Sequence, residues 1–412
     1  MKILLGKDAL DWKTSVKQLR QASLPSAQDY LSFTIEFFNR LSQEIFKDAE
    51  SNKYPDLISL AFWLRKANLL SLVKQFLSPS SSNTFFKPRG LVLHFAPSNV
   101  DTMFVYSWAI SLLAGNKNIL RLSTRRGYVA ESLIKFCNNI FLDYPEYSSL
   151  LNGNMLLEYE HDDEITAFLS QHCEARIIWG GDNSIQNIRR IPIPAYAVEA
   201  VFANRFSLCL IKAEALIEAS QVKNDFERLI EGFVNDAFWF DQQGCSSPRA
   251  VMWLGNESII LQAQNLFWPN VVKLAEKKFP ELLAALSYPM QRISFLAKVA
   301  AENKGKLIGE FSGFPLRIKV KKIDADLRLQ HPGLGCFYEM AVDAMEHAAQ
   351  VLQPKDQTLT TFGFDHSELA SLINQASGID RIVPFGKALA FSPVWDGYNL
   401  FHTVTRFVTV EN

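Results

Sequence analysis

The stretch Trp239–Arg249, WFDQQGCSSPR, carries one cysteine, Cys245, between a glycine and a Ser-Ser-Pro run. Gly244 permits a tight turn or a close backbone approach, and Pro248 biases Ser247 away from the helical region. The aromatic run FVNDAFWF before it predicts a helix leading in, and AVMW after it predicts a strand leading out. A cysteine on a turn between two rigid elements is placed as a nucleophile is placed. A buried structural thiol is the bland alternative. Three other turns carry groups with chemical uses. Asn99, in APSNVD, can offer an amide NH₂ to developing negative charge. Arg121, Arg125 and Arg126, in RLSTRR, put cations at or just past a strand end, as a phosphate requires. Gly180 and Gly181, in WGGDNS, allow close backbone approach, and Asp182, Asn183 or Ser184 then opens a helix whose start suits an anion or a nicotinamide ring. The ordinary readings are a turn asparagine, solvated arginines and a glycine turn. No GxGxxG is present, so the common dinucleotide fingerprint is missing.

The elements that must hold these turns follow an α/β rhythm. LVLHF, NILRLS, NMLLEYE and ARIIW read as strands, separated by the helical segments VDTMFVYSWAISLLAG, with Gly115 as its stop, TRRGYVAESLIKFCNNIFLDY and HDDEITAFLSQHCE. Such alternation predicts a parallel, doubly wound sheet whose ligands bind beyond the carboxyl ends of its strands, where the three turns fall. Residues 1–80 read as a helical N-terminal layer, closed by the loop SPSSSNT. VFANRFSLCLI reads as one strand entering a second α/β region, which contains the helix ending at FWF, the strands AVMWLG, LRIKVKKID, GCFYEMAV and QTLTTFGF, a mostly helical stretch over 256–310, and a β-rich tail, TVTRFVTV. The domains expected are 1–80, a cofactor-binding domain over 81–212, a catalytic domain over 213–395 and a C-terminal arm over 396–412.

Composition narrows the classes. A chain of 412 residues with 48% hydrophobic and 21% charged residues is an ordinary globular protein of more than one domain. A net charge of −1 gives no electrostatic case for nucleic acid or an anionic membrane. Five scattered cysteines without a CxxC pair argue against a disulfide framework or a zinc site and fit a reducing cytoplasm. The apolar run in MKILLGKDALDWK is too short for a signal peptide. The longest apolar stretch, over 57–77, is broken by Arg65, Lys66 and Lys74, so no membrane span is expected.

Four segments together resemble the aldehyde dehydrogenase superfamily, and within it the LuxC-type long-chain acyl-CoA (fatty acid) reductases. They are PSNV…LLAGNKNILRLS, IIWGGD, DQQGCSSPR and RIVPFG…WDGYNL, spanning about residues 85–410. The resemblance implies an α/β fold of three parts: a Rossmann-type cofactor domain, an α/β catalytic domain and a β tail used in oligomers. It implies Cys245 as nucleophile and Asn99 as partner of the Cys245 backbone N–H in an oxyanion hole. It implies Arg121 and Ser123 in place of the lysine and its neighbours that hold the adenosine ribose. Arg125 and Arg126 close by favour a 2′-phosphate and hence NADPH, with Gly180 and Gly181 flanking the nicotinamide. Where hydrolytic members carry a water-activating glutamate this chain reads AVEAVFANRFS; Glu199 lies near but out of register. Lack of that base suits transfer of an acyl group from a thiol carrier.

The expected activity is NADPH-dependent reduction of a fatty acyl thioester, on CoA or on a protein, to the aldehyde through an acyl-cysteine. An acyl-protein synthetase is an expected partner, and a homo-oligomer the expected assembly. The alternatives are a short or unusual acyl group, the oxidative direction, a binding protein that kept the fold, and a Cys–His enzyme using His94, His331 or His366. The mechanism asks for a thiolate near neutral pH, which a helix N-terminus after Cys245 would favour; the sequence shows no such helix.

Overall fold

The computed structural model describes residues 1–6, 11–78, 83–97, 99–280, 287–310 and 314–411, with no side-chain description for 287–289. Residues 79–82 of the expected SPSSSNT loop and Ser98 of the APSNVD turn lie outside the described residues. The chain divides into two compact units, Met1–Asn204 with Phe391–Asn412, and Arg205–Ala390.

The first unit contains β1 (Lys2–Leu5), β2 (Thr84–Pro88), β3 (Leu91–Phe95), β4 (Lys117–Leu122), β5 (Asn154–Glu158), β6 (Ala175–Trp179) and β7 (Val198–Phe202). Six of these form a sheet in the order β1-β5-β4-β3-β6-β7. All pairs are parallel except β1, which runs antiparallel along β5. The start of the chain is thus an edge strand where helix was expected: Lys2–Leu5 is extended and only Leu5 is fully buried. β3 and β6 are buried at all five positions, the pattern of central strands covered on both faces. Val92 faces one core with Leu120, Leu156 and Ile177, while Leu93 and Phe95 face another with Ile119, Leu157 and Ile178. The helix Ala27–Lys47 packs Phe37, Phe38 and Leu41 into the first of these cores against Trp108. The N-terminal helices are therefore a layer of this unit and not a domain of their own. The helix Met103–Leu113 is buried all round and ends at Gly115, whose φ of +87° is costly for any other residue.

Chain order in this sheet runs outward from β3 through β4 to β5 on one side and resumes on the other with β6 and β7. The reversal lies between β3 and β6, and parallel sheets take ligands at such a point, beyond the carboxyl ends. Asn116, of the Ala-Gly-Asn sequence, clamps this frame. Its amide donates to the carbonyls of Ser111 and Val404, 3.2 and 2.9 Å, and its oxygen accepts the Gly90 N–H at 3.0 Å.

The second unit contains β8 (Phe206–Lys212), β9 (Ala250–Leu254), β10 (Gly305–Ile308), β11 (Leu316–Val320), β12 (Cys336–Val342), β13 (Asp356–Phe362) and β14 (Arg381–Pro384), in the order β10-β11-β12-β9-β8-β13-β14. Only β10 is antiparallel. VFANRFSLCLI is two strands, β7 ending at Phe202 and β8 starting at Phe206, one in each sheet. The division therefore falls at 204/205, not 212/213. Leu208, Leu210, Met252 and Tyr338 line one core; Cys209, Ile211, Trp253 and Phe337 line the other. The chain then returns to the first unit at Phe391 rather than at 396. There β15 (Val394–Trp395) pairs with β16 (Tyr398–Asn399), and β17 (Thr405–Thr409) pairs antiparallel with β2.

Candidate active site

Asn99 follows β3, Arg121 lies near the end of β4 with Ser123 just past it, and Gly180 with Gly181 follow β6; these three adjacent strands place them at the carboxyl edge of the first sheet. The turns after β3 and β4 are joined by the Ala96 N–H, which donates to the Arg121 carbonyl at 3.0 Å. Asn99 is exposed. Arg121 donates to the Tyr159 carbonyl at 3.0 Å and lies over the Tyr159 ring; burial holds its guanidinium below the usual arginine range. Ser123 accepts the Arg125 N–H through its hydroxyl, 3.1 Å, which shapes the turn.

The two arginines that follow differ. Arg126 is nearly buried and fully engaged. It pairs with Glu131 at 2.8 Å and Glu158 at 2.5 Å, and donates to the Ser123 carbonyl at 3.0 Å. Its cation is neutralised within the unit, so the expectation that it holds a phosphate is withdrawn. Arg125 is exposed and its guanidinium has no partner among the described residues. The sequence did not show this difference, because Glu158 lies 32 residues further on.

Gly180 and Gly181 are unusual in what does not constrain them. Neither has a positive φ. A Cβ on Gly180 would meet only Ser184, and one on Gly181 only Asn204, both at 3.7 Å, an ordinary contact. Backbone and internal packing both tolerate a side chain there. Gly181 caps the helix Asp182–Arg189. Glu199 is not available as a base: Arg176 donates to one oxygen at 2.7 Å and Arg189 to the other at 2.9 Å.

In the second unit the helix Lys223–Phe238 leads into Trp239–Gln242, and β9 leads out, so Cys245 sits at the amino edge of the sheet. Phe240, Asp241 and Gln242 all have positive φ, 60°, 54° and 60°. Three non-glycine residues in succession there cost on the order of 1–3 kcal/mol each and persist only where their surroundings impose them. The buried Gln242 amide donates to the Pro248 carbonyl at 2.7 Å and the Cys336 carbonyl at 2.9 Å. Gln243 donates to the Pro332 carbonyl at 2.6 Å, and the Leu334 N–H to the Asp241 carbonyl at 3.0 Å. Opposite them Gly333, Leu334 and Gly335 are also left-handed, and a Cβ on Gly333 would lie 2.6 Å from the Gln243 amide nitrogen.

Ser207, on β8, holds both ends of the cysteine turn. Its hydroxyl donates to the Cys245 carbonyl at 2.6 Å, and its carbonyl accepts the Arg249 N–H at 2.9 Å. The Ser247 N–H closes the turn onto the Gly244 carbonyl at 3.1 Å. Ser207 lies 38 residues before Cys245, and no local pattern points to it.

The other four cysteines are buried. Burial pushes Cys173 and Cys336 up to about 12, and raises Cys137 and Cys209 further. Cys245 is half-buried. The histidines fit the bland reading. His94 is buried in β3 between Ser107 and Asn118, at 2.8 and 3.1 Å, and burial lowers it to about 4. His331 is buried with its pKa well below the usual value, its Nδ1 accepting the Gly333 N–H at 3.1 Å. His366 is exposed at a helix start.

The family model for acyl-CoA reductase (LuxC) matches residues 64–409. The chain belongs to the LuxC family. A long-chain acyl-protein thioester reductase from Photorhabdus laumondii is 23% identical over 305 residues, which are 73% of this chain and 58% of that protein. The match thus spans less than two thirds of that relative. Among solved structures, aldehyde dehydrogenase 21 from Physcomitrella patens superposes with a TM-score of 0.67 at 11% identity, covering 97% of this chain and 90% of that one. A NAD-dependent benzaldehyde dehydrogenase from Corynebacterium glutamicum superposes at 0.65 and 12%, covering 97% and 88%. The fold is that of the aldehyde dehydrogenases. Among the described residues, no helix is long and apolar enough to cross a membrane.

Proposed function

We propose that this chain reduces a long-chain acyl thioester to the aldehyde through an acyl-cysteine on Cys245, with NADPH as the reductant. One observation carries the proposal: of five thiols, four are buried and held protonated, while Cys245 is half-exposed on a strained, cross-braced loop. A thiol kept merely for packing needs no such loop.

The residues present fit a nicotinamide cofactor at the carboxyl edge of the first sheet. Gly180 and Gly181 leave open the space that a Cβ would fill, and Arg125 offers an unpaired cation where a 2′-phosphate favours one. The solved benzaldehyde dehydrogenase of the same fold is NAD-dependent. When bound, NADPH supplies the hydride.

The chain's own residues do the rest. The Cys245 thiolate attacks the thioester carbonyl, and the carbonyl oxygen becomes an anion. The Cys245 backbone N–H donates to that oxygen, with Asn99 the second donor that the family resemblance implies, a contribution of roughly 3–4 kcal/mol per donor in comparable sites. The C–S bond to the carrier breaks, and the carrier leaves as a thiolate that takes up a proton. Once the acyl carbon has taken up hydride, its oxygen is an anion; that oxyanion re-forms the carbonyl as the bond to Sγ breaks, and the aldehyde leaves with Cys245 again a thiolate. Because Glu199 is tied to Arg176 and Arg189, hydrolysis of the acyl-cysteine lacks that base.

The relative's name gives a protein-bound acyl group as donor, which makes an acylated protein, and the synthetase that loads it, the partners of choice. A homo-oligomer built through the β2–β17 ribbon and a cytoplasmic location complete the proposal. The test is NADPH oxidation at 340 nm with tetradecanoyl donors on CoA and on protein. Aldehyde formed in step with NADPH consumed supports the reading; aldehyde oxidation or donor hydrolysis without NADPH use overturns it.

A further inference from the structure

We infer that Arg249 is a positioning residue that holds Cys245 as a thiolate. The inference rests on Cys245 being the nucleophile.

The nucleophile needs a source of positive potential, and the fold does not provide the usual one. β9, not a helix, follows Cys245, so the segment after the sulfur does not supply a helix N-terminus. His331, on the segment that braces the loop, is buried and neutral near pH 7. Arg249 remains, four residues after Cys245 and fixed at both backbone ends. Its N–H donates to the Ser207 carbonyl at 2.9 Å, and its carbonyl accepts the Tyr338 N–H at 3.1 Å. Ser207 also binds the Cys245 carbonyl at 2.6 Å, so one residue sets the spacing of the pair.

Three arginines with largely buried side chains, Arg328, Arg176 and Arg126, are saturated. Arg328 meets both oxygens of Asp356 at 2.8 Å and the carbonyl of Val351 at 2.7 Å. Arg176 meets Glu199, Ser170 and Ile191. Arg126 meets two glutamates. Arg249 forms no ion pair with a carboxylate among the described residues, and its buried Nε has no hydrogen-bond partner there. A desolvated guanidinium without a carboxylate is costly unless another anion faces it. Burial holds Arg249 below the usual arginine range, and the one charge that favours its cation is the Cys245 thiolate. Coulomb attraction is mutual, so the cation favours the thiolate in turn. The remaining titratable groups on the adjoining segments are Asp241 on the loop, Asp236 on the helix leading in, Cys336 on β12, and Arg292, a cation engaged with the Cys336 thiol.

The experiment is the pH profile of Cys245 alkylation by iodoacetamide in the whole protein, read by intact mass without acyl donor or cofactor. Arg249→Met lowers the alkylation rate at pH 7 about tenfold and moves the profile up by about one unit. Arg249→Lys restores part of the rate at pH 7. Circular dichroism of each variant separates this effect from misfolding. If folded Arg249→Met gives the wild-type profile, or if Lys rescues nothing, the inference is overturned and the nucleophile stands. If Cys245 of the wild type resists alkylation at every pH, both readings are overturned.

Discussion

The carboxyl edge of the first sheet and the amino edge of the second are held in opposite ways. At the first edge the candidate groups leave room: Asn99 and Arg125 are exposed, and the packing around Gly180 and Gly181 would admit a Cβ. At the second, Cys245 sits in a loop with three left-handed residues, pinned by Gln242, Gln243 and Ser207. A surface that receives a cofactor must stay open, whereas a nucleophile must be held at one angle and one charge. Substitutions at the first edge should therefore alter binding with little effect on stability. At the second, substitutions in the residues that brace the loop should alter both activity and stability.

The largest effect is expected at the sulfur. Cys245→Ala should lower turnover by at least about a thousandfold while thermal unfolding stays near that of the wild type; a variant with a tenth of normal turnover would break the contrast. Gln242→Ala removes the donor to two buried carbonyls and should cost about 2–4 kcal/mol in urea unfolding. A loss under about 0.5 kcal/mol would mean that the loop is not held by this amide.

Asp236 sharpens the same side. It accepts the Gly386 and Ala388 N–H groups at 2.7 and 2.9 Å, yet burial raises its carboxyl to about 7. The folded state therefore keeps a proton that the unfolded state releases near the ordinary aspartate value. Stability from this group is complete below about pH 4 and declines as pH rises to about 7. The deficit of Asp236→Asn relative to wild type should shrink by about 2 kcal/mol between pH 5 and pH 8. An unchanged deficit would show that Asp236 titrates normally. The smallest effects on stability belong to the open edge. Gly180→Ala and Arg125→Ala should each unfold within about 0.5 kcal/mol of wild type and bind NADPH about tenfold more weakly. Arg126→Ala should do the reverse, because its charge serves Glu131 and Glu158. Isothermal titration beside thermal unfolding separates the three.

Much of this was readable from residue order. Period and length gave the strands LVLHF, ARIIW and AVMWLG, and the helix before Cys245, because each keeps one pattern along its length. The misreadings came where pattern is blind to partners. VFANRFSLCLI is one apolar run, but its strands join different sheets, and the break needs only Ala203, Asn204 and Arg205. Lys2–Leu5 extends because β5 offers an edge, not because of its own composition. Arg125 and Arg126 are adjacent and alike in sequence; a glutamate on β5 makes one structural and leaves the other unpaired. Ser207 and Gly333 are remote from Cys245 in sequence and bear on it only through the sheet.

Intact mass after mixing with a tetradecanoyl thioester, first without NADPH and then with it, tests the central claim most directly. The account predicts a gain of one acyl group on Cys245, absent in Cys245→Ala, followed by loss of that mass and release of aldehyde when NADPH is added. Acylation at another residue, or an adduct on Cys245 that NADPH does not discharge, would contradict it.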